Sequence, residues 1–263
     1  MKGTQQATDW YRHPAYYEAI FGTDTTKEFD FLEAMHARHG NGGRRWLEPA
    51  CGAGRLIEEG ARRGLTMFGY DLSDEMLAFA RARLTPTLRR RVTLTEGDMA
   101  TFFNPELEGR FDVAFNLVST FRYLDSDEAA CAHLRNTRRL LAPDGRYFLG
   151  FHLTDYARSD EETERWKGEI DGAAVDCFTW EGPPDRKRRR APMTNRLRVR
   201  GPDVNLDINT EWNFRTWSSA EARSLFSRTG FRVLARHDFD YRPDQLAASD
   251  RLDSIFVLAP SEP

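Results

Sequence analysis

The sequence is poor in lysine and cysteine and has no long hydrophobic segment. Only four of its 38 basic residues are lysines, so few side chains are available for Schiff-base chemistry. Its three cysteines, Cys51, Cys131 and Cys177, are too few and too scattered for a disulfide framework or a zinc cluster. No apolar run approaches the ~18 residues of a membrane span, and residues 1–10 are polar, unlike a signal peptide. We therefore expect a cytoplasmic protein without a metal site or membrane association.

Length and charge favour a globular protein. The chain has 263 residues, of which 40% are hydrophobic and 30% charged, enough apolar material for a sizeable core. At roughly 100–200 residues per domain, this length predicts one large domain or two small ones. The 38 basic and 41 acidic residues give a net charge of −3, which argues against a protein that mainly coats nucleic acid.

Strand-like and helix-like segments alternate from residue 45 onward. The apolar pattern predicts strands at 46–47, 66–70, 92–95, 111–118 and 146–152, and at 231–237 and 254–258 near the end. Alternation of this kind is typical of a parallel sheet with helices on both faces. The predicted fold is α/β: a Rossmann-like, doubly wound, mostly parallel sheet of seven strands.

The segments outside this core predict a cap and an insertion. Capping boxes at Thr25-x-x-Glu28 and Ser218-x-x-Glu221 predict helix starts. Strand-like pieces near 168–180, 195–200 and 205–215 predict an antiparallel insertion after the fifth strand. We interpret 1–263 as a single domain with four parts: a helical cap (1–44), a ligand-binding core (45–152), an antiparallel lid (153–217), and a closing helix and strands (218–263).

Three motifs follow successive strands, where open α/β sheets bind their ligands. The first, Glu48-Pro-Ala-Cys-Gly-Ala-Gly-Arg55, has small residues that let a ligand approach the backbone. The second is Asp71, whose carboxylate can accept hydrogen bonds from both hydroxyls of a ribose. The third is Asp98, placed to accept from the amine of adenine, with Leu72, Met76 and Met99 available to sandwich the ring. Together they predict a site for an adenosine-containing ligand.

The loop chemistry narrows the choice of ligand. A nicotinamide or flavin site favours G-x-G-x-x-G, but Ile57 stands at the third position, and there is no P-loop motif for a nucleoside triphosphate. The acidic Glu48 at the base of the loop instead suits a ligand with a positive end, such as an ammonium or a sulfonium. An ordinary strand–helix turn remains the alternative for the two glycines taken alone.

The ordered set of motifs resembles the class I S-adenosylmethionine-dependent methyltransferases. It comprises Leu47 to Arg55, then Gly69-Tyr-Asp-Leu-Ser73, then Glu96-Gly-Asp-Met99, and the resemblance covers about residues 45–152. It implies that Glu48 and the 50–54 loop contact the methionine moiety, Asp71 the ribose, and Asp98 with Met99 the adenine. It also implies that Asn116 and Leu117 line the methyl-transfer face. Ala50 departs from the glycine that is frequent at this position.

The candidate site residues follow from the motifs and the resemblance. S-adenosylmethionine is the expected cofactor, held by Tyr17, Glu48, Ala50, Gly52, Gly54, Arg55, Asp71, Leu72, Met76, Asp98, Met99, Asn116 and Leu117. The aromatic N-terminal segment and the insertion resemble those of glycine and amino-sugar N-methyltransferases, which implies a small-molecule acceptor. Candidate acceptor-binding residues are Tyr16, Arg122, Tyr123, Trp212 and Arg215. His152 is the candidate proton acceptor, with a purely structural histidine as the alternative.

Two other functions remain open at this point. The run Arg186-Lys-Arg-Arg-Arg190 could clamp phosphates in a nucleic-acid methyltransferase, although a solvated loop is the simpler interpretation. The chain could also bind the cofactor without catalysing transfer. The expected partner is a small molecule, not nucleic acid or membrane, and the sequence leaves the acceptor and the oligomeric state open.

Overall fold

Seven strands form one mostly parallel sheet in the computed structural model, which describes residues 9–261. Its order is β10-β11-β5-β4-β1-β2-β3, and the two pairings that involve β11 are antiparallel. The strands are β1 (Arg45–Pro49), β2 (Thr66–Asp71), β3 (Val92–Glu96), β4 (Phe111–Asn116), β5 (Leu141–His152), β10 (Phe231–His237) and β11 (Asp253–Pro260). The predicted Rossmann-like fold is confirmed.

Helices cover both faces of this sheet. One buried cluster includes residues of α2 and α3, and another includes residues of α6 and α7. The helices are α1 (Pro14–Phe21), α2 (Thr25–His39), α3 (Arg55–Arg62), α4 (Asp74–Arg83), α5 (Pro86–Arg89), α6 (Asp127–Leu140) and α7 (Ser219–Arg228). No helix within residues 9–261 is long and apolar enough to cross a membrane.

The segment after β5 forms a second, antiparallel sheet of four strands. Its strands are β6 (Glu162–Ile170), β7 (Ala173–Glu181), β8 (Arg190–Gly201) and β9 (Val204–Arg215), paired in that order. The strand-like piece predicted near 168–180 corresponds to the end of β6 and most of β7. Asp171 and Gly172 both have positive φ and form the tight turn that separates β6 from β7.

The N-terminal helix packs on this second sheet. Trp10 and Ile20 share a buried cluster with Val175, Cys177 and other residues of β7, β8 and β9. Contact is close, because a Cβ on Gly168 would lie 2.2 Å from the carbonyl oxygen of Ala19. The part of the cap around α1 therefore forms one layer with the insertion, whereas α2 packs against the main sheet. The part of the predicted cap in residues 1–8 lies outside the described residues.

Several predicted boundaries move in the structure. The fourth strand ends at Asn116 and not at 118, because Ser119 adopts a left-handed conformation with φ of 54°. The capping box at Ser218 forms as predicted, but the one at Thr25 does not. Glu28 instead pairs with Arg55 at 2.6 Å, and that ion pair draws its side chain away from the helix terminus.

Candidate functional site

The loop after β1 has the backbone geometry of a ligand cradle. Ala50, Gly52 and Gly54 all have positive φ, at 51°, 52° and 73°. A Cβ on Gly54 would lie 2.7 Å from Cβ of Ala80, so only glycine lets α3 start this close to α4. A Cβ on Gly52 would meet nothing within 4 Å, which leaves its backbone open to a ligand. The predicted loop therefore has one glycine required for packing and one that faces open space.

Asp71 is fixed by the backbone at the end of β2. Its Oδ2 accepts from the amide of Gly52 at 2.8 Å, and its Oδ1 accepts from the amide of Ser73 at 2.9 Å. A carboxylate has about four lone-pair sites, so roughly two remain for ligand hydroxyls. Burial raises the pKa of Asp71, and these amide bonds oppose the rise. The side chain is thus oriented and still has acceptor capacity.

The third motif lies directly beside the second. The amide of Gly97 donates to the carbonyl of Asp71 at 3.0 Å, which places Asp98 next to the end of β2. Asp98 is exposed, and its carboxylate accepts from the amide of Ala100 at 2.7 Å. Leu72 is 57% exposed, whereas Met99 and Met76 are buried. Of the residues predicted to sandwich a ring, Leu72 is the one that presents an open apolar surface.

Two buried polar side chains at this edge each have an acceptor atom without a partner among residues 9–261. Asn116 donates from Nδ2 to the carbonyl of Pro49 at 2.9 Å, but its Oδ1 accepts nothing. Oε2 of Glu48 is likewise buried without a partner, and burial raises its pKa well above 4.5. Unsatisfied buried acceptors are rare and call for a donor. The ammonium and hydroxyl groups of S-adenosylmethionine are such donors, so these residues fit that group.

Arg55 is held inside the protein. Its guanidinium lies 2.6 Å from Oε2 of Glu28 and donates to the hydroxyl of Thr25 at 3.2 Å. Its positive charge also acts on Tyr17 and Glu48, whose pKa values it lowers against the effect of burial. Arg55 therefore links α2 to the cradle loop. Sequence reasoning missed Glu28, whose only signal was its position in the expected capping box.

Aromatic side chains cover the site from the cap. The hydroxyls of Tyr11 and Tyr123 are hydrogen-bonded at 3.0 Å, and the rings of Tyr11 and Tyr17 lie 5.5 Å apart. Burial raises the pKa of Tyr17 to about 12, and the nearby carboxylate of Asp71 contributes to the rise. Trp212 stacks on Tyr123, with their ring centroids 6.2 Å apart. Tyr16 stacks on His13 instead.

The two arginines predicted to bind the acceptor already have acidic partners. Arg122 is 2% exposed and makes two hydrogen bonds to the carboxylate of Glu181, at 2.7 and 3.0 Å. Arg215 donates to Oδ1 of Asp127 at 3.0 Å. Both pairs join the core to the insertion sheet. Their geometry favours a structural role for both arginines over the predicted contact with an anionic acceptor.

His152 ends β5 between two polar groups. Its Nδ1 lies 2.6 Å from Oγ of Ser119, and its Nε2 lies 3.2 Å from Oδ1 of Asp253. The backbone amide of His152 also donates to Oγ of Ser119 at 3.2 Å, so the Ser119 hydroxyl proton is directed at Nδ1. Burial, with Arg122 nearby, lowers the pKa of His152 and favours its neutral form. Asp253 had no sequence signal, because it reaches His152 through the pairing of β11 with β5.

The arginine run lies between β7 and β8 and is largely engaged. Arg189 pairs with Asp127 at 2.8 Å, and Arg188 lies 3.5 Å from Asp185. The guanidinium of Arg186 lies over the ring of Tyr156, 5.7 Å from its centroid. Within residues 9–261, no cluster of three or more His, Cys, Asp or Glu side chains could hold a metal ion.

Comparison with known proteins agrees with this geometry. Residues 47–145 match a family model described as a methyltransferase domain. A stretch of 85 residues is 36% identical to the magnesium-protoporphyrin O-methyltransferase of Rhodobacter capsulatus, over 32% of this chain and 36% of that relative. The chain covers 36% and 42% of the lengths of two curated relatives that it matches.

Solved structures share the fold over nearly the whole chain. DesVI of Streptomyces venezuelae has a TM-score of 0.76 at 21% identity and covers 95% of this chain and 97% of its own. CalS10 of Micromonospora echinaspora, a SAM-bound amino pentose methyltransferase, has a TM-score of 0.72 at 20% identity. The match covers 94% of this chain and 95% of CalS10. The cradle loop, Asp71 and Asp98 all lie inside the segment that matches the family model. Residues 47–145 therefore match a methyltransferase domain, as the sequence motifs predicted, and the solved structures share the fold.

Proposed function

We propose that the protein is an enzyme that transfers a methyl group from S-adenosylmethionine to a nitrogen or oxygen atom of a small molecule. The observation that carries the proposal is the pair of buried, unpartnered acceptors, Glu48 and Asn116, beside the open backbone of Gly52. Burying a polar group without a partner destabilises the fold, so such groups mark a place where a ligand supplies the partner.

Each side chain then has a role in binding. Glu48 receives the ammonium group of the methionine moiety, and Asp71 uses its free lone pairs for the ribose hydroxyls. Asp98 accepts from the adenine amine while Leu72 covers the ring. Tyr11 and Tyr17 close the site and exclude water, which strengthens every polar contact inside it.

The bound cofactor supplies a methyl group already activated on a positively charged sulfur. The protein must then place the acceptor atom in line with that methyl group and remove the proton of the acceptor. Neutral His152 is the proposed proton acceptor, reached through the hydroxyl of Ser119, and Asp253 stabilises the imidazolium that forms. With the cofactor bound, the acceptor atom would give its proton to this pair of side chains and form its bond to the methyl carbon, and the electron pair of the carbon–sulfur bond would remain on sulfur.

A small molecule is the proposed acceptor, and neither nucleic acid nor membrane is part of the proposal. The pairing of Arg189 with Asp127 at 2.8 Å supports this choice, because it removes one arginine of the run from a phosphate clamp. Relatives named for a porphyrin O-methyltransferase and an amino pentose methyltransferase both have small-molecule acceptors. A location in the cytoplasm stays a prediction.

Calorimetric titration with S-adenosylhomocysteine tests the proposal. The native protein should bind it, and Asp71→Ala should weaken binding by roughly 10–100-fold, since hydrogen bonds to a charged group contribute about 1.5–3 kcal/mol. Asp74→Ala is the matched control, because Asp74 is exposed on the first turn of α4. Thermal unfolding of both variants separates loss of binding from loss of fold. Absence of binding by the native protein would end the proposal.

Methyl transfer itself distinguishes an enzyme from a binding module. Labelled methyl from S-adenosylmethionine should appear on at least one member of a panel of amines, phenols and acids. Binding of the cofactor without transfer to any of them would favour a non-catalytic protein.

A further inference from the structure

A small cavity lies where the second sheet meets the end of β5. Its volume is about 170 Å³, and its lining includes His152, Thr154, Glu164, Thr179, Glu181 and Asp253. We call it the acidic cavity. We propose that the acidic cavity binds the positively charged amino group of the methyl acceptor, so that the acceptor is a cationic amine. This inference rests on the proposed function, because it names the substrate class of that reaction.

The acidic cavity adjoins the predicted transfer face. His152 lines the acidic cavity. Its imidazole is hydrogen-bonded to Ser119, which belongs to the segment that follows β4. That segment is pressed onto β5, because a Cβ on Gly150 would lie 2.4 Å from the carbonyl oxygen of Leu117. An amine in the cavity therefore lies beside the proposed proton acceptor and next to the residues after β4.

The charge of the lining is negative. Five acidic side chains line the cavity, namely Asp155, Glu162, Glu164, Glu181 and Asp253, whereas Arg158 is the one arginine or lysine among the lining residues. The guanidinium of Arg122 forms an ion pair with Glu181 at 2.7 Å, and Arg158 forms one with Glu162 at 3.1 Å. Glu164 has no basic partner within the described residues, and Asp253 has only His152. A carboxylate acceptor would be repelled here, and an ammonium group would be attracted.

Two buried hydroxyls add binding groups that acidity alone would not supply. Thr154 is 9% exposed, and its Oγ1 is buried with no hydrogen-bond partner in the part of the chain that the structure describes. Thr179 is 8% exposed, and its Oγ1 accepts from Nδ2 of Asn195 at 2.9 Å. Since buried polar atoms are normally paired, the hydroxyl of Thr154 indicates a ligand that supplies the missing contact.

The electrostatics of Glu164 agree with a missing cation. Glu164 occupies an exposed position of β6. Partial loss of solvent at the cavity raises the pKa of its carboxyl, the charges of Asp253, Glu181 and Glu162 raise it further, and Arg122 lowers it. A bound ammonium group would relieve this repulsion. The cavity is smaller than the ~300–1,000 Å³ of typical ligand sites, so it holds the amine end of the acceptor and not the whole molecule.

Binding of three matched probes tests the proposal. Benzylamine, benzyl alcohol and benzoate have similar shapes and differ in charge, and each is titrated into the protein with its chemical shifts followed by NMR. Benzylamine should bind about tenfold or more tightly than benzyl alcohol, and benzoate should bind weakest, as expected for opposite charges in a partly desolvated site. Equal affinity of the three, tightest binding of benzoate, or binding of none would overturn the proposal.

Variants locate the binding site. Glu164→Gln and Thr154→Val should each weaken benzylamine binding by about tenfold and leave the affinity for S-adenosylhomocysteine unchanged. Glu161→Gln is the matched control, because Glu161 is exposed and does not line the cavity. Unchanged benzylamine binding in both cavity variants would place the amine elsewhere and contradict the proposal.

Failure of the proposed function gives a different result. If S-adenosylhomocysteine does not bind but benzylamine does so through Glu164, the cavity stands and the methyltransferase proposal falls. If S-adenosylhomocysteine binds and benzylamine does not, the enzyme keeps its cofactor and the acceptor is not a cationic amine.

Discussion

Glu48 is the buried carboxyl that we propose receives the ligand ammonium group. It stands 8% exposed at the end of β1, one of its oxygens has no partner, and burial raises its pKa well above 4.5. An acid with a raised folded-state pKa destabilises the fold as pH rises from its unfolded value towards its folded value. The penalty amounts to about 1.4 kcal/mol for each pH unit between the two pKa values.

Replacement of Glu48 by glutamine should therefore separate stability from binding. Glu48→Gln should raise the free energy of unfolding at about pH 8, where the carboxyl of the native protein carries the ionisation penalty, and change it little below about pH 4. In the native protein, affinity for S-adenosylhomocysteine should rise with pH, since the ligand ammonium favours the ionised carboxylate. In Glu48→Gln the affinity should be lower and flatter with pH. Thermal unfolding and calorimetry at several pH values measure both, and a parallel pH profile in the variant would contradict this role.

The loop between β1 and α3 is the element on which the proposed ligand site depends. Its left-handed residues turn the chain sharply, and the frequent glycine of the family is explained at Ala50, whose φ of 51° favours glycine. Gly54 adds a packing requirement, since it touches Ala80 of α4. Gly52 has no such neighbour, so its role is access to the backbone.

Alanine at Gly52 and alanine at Gly54 should differ in their effects: the first should mainly weaken ligand binding, and the second should mainly lower stability. Both substitutions place a Cβ in a left-handed conformation, which destabilises by about 1–2 kcal/mol. Gly54→Ala adds a clash with Ala80 worth roughly 1–3 kcal/mol more, so it should unfold at a markedly lower urea concentration. Gly52→Ala should lose less stability but bind S-adenosylhomocysteine more weakly. Similar stability losses with similar affinity losses would show that the loop acts as a simple turn.

At the scale of the whole molecule, buried ion pairs hold the second sheet to the core. Arg122 follows β4, its partner Glu181 ends β7, and its guanidinium also lies 4.5 Å from the ring centroid of Phe214. Burial alone would raise the pKa of Glu181, but Arg122 and Arg158 outweigh it and hold the pKa below its usual value. The pair therefore contributes stability above about pH 4.5, and this contribution is lost as pH falls through the lowered pKa.

Removal of Arg122 from its pair with Glu181 should strongly lower the free energy of unfolding. Arg122→Met leaves Glu181 buried with Arg158 as its remaining cation and should lower the free energy of unfolding by about 3–5 kcal/mol near neutral pH. The loss should shrink in acid, where Glu181 is protonated. Arg139→Met is the control, because its pair with Glu108 is about half exposed on both sides and should contribute less than about 1 kcal/mol. Urea unfolding measures both, and equal losses would contradict a special role for the buried pair.

The sequence by itself determined the strand pattern, the cradle loop and the placement of Asp71 and Asp98. These depend on local information: apolar periodicity along each strand and small residues at one turn. The alternation of strand and helix signals predicted a parallel sheet. Because neighbouring parallel strands bring their carboxyl ends to one edge, it also placed Asp71 and Asp98 at that edge.

Only the tertiary structure decided which side chains are free and which are paired. Arg122 and Arg215 looked available for an acceptor, yet Glu181 and Asp127 engage them. Glu28 forms an ion pair with Arg55 and not the expected capping box, and strand pairing places Asp253 beside His152. Charge pairing depends on distance in space, and partners that lie 27 to 101 positions apart along the chain give no local pattern. The acidic cavity has the same origin, since β5, the second sheet and β11 each contribute part of its lining.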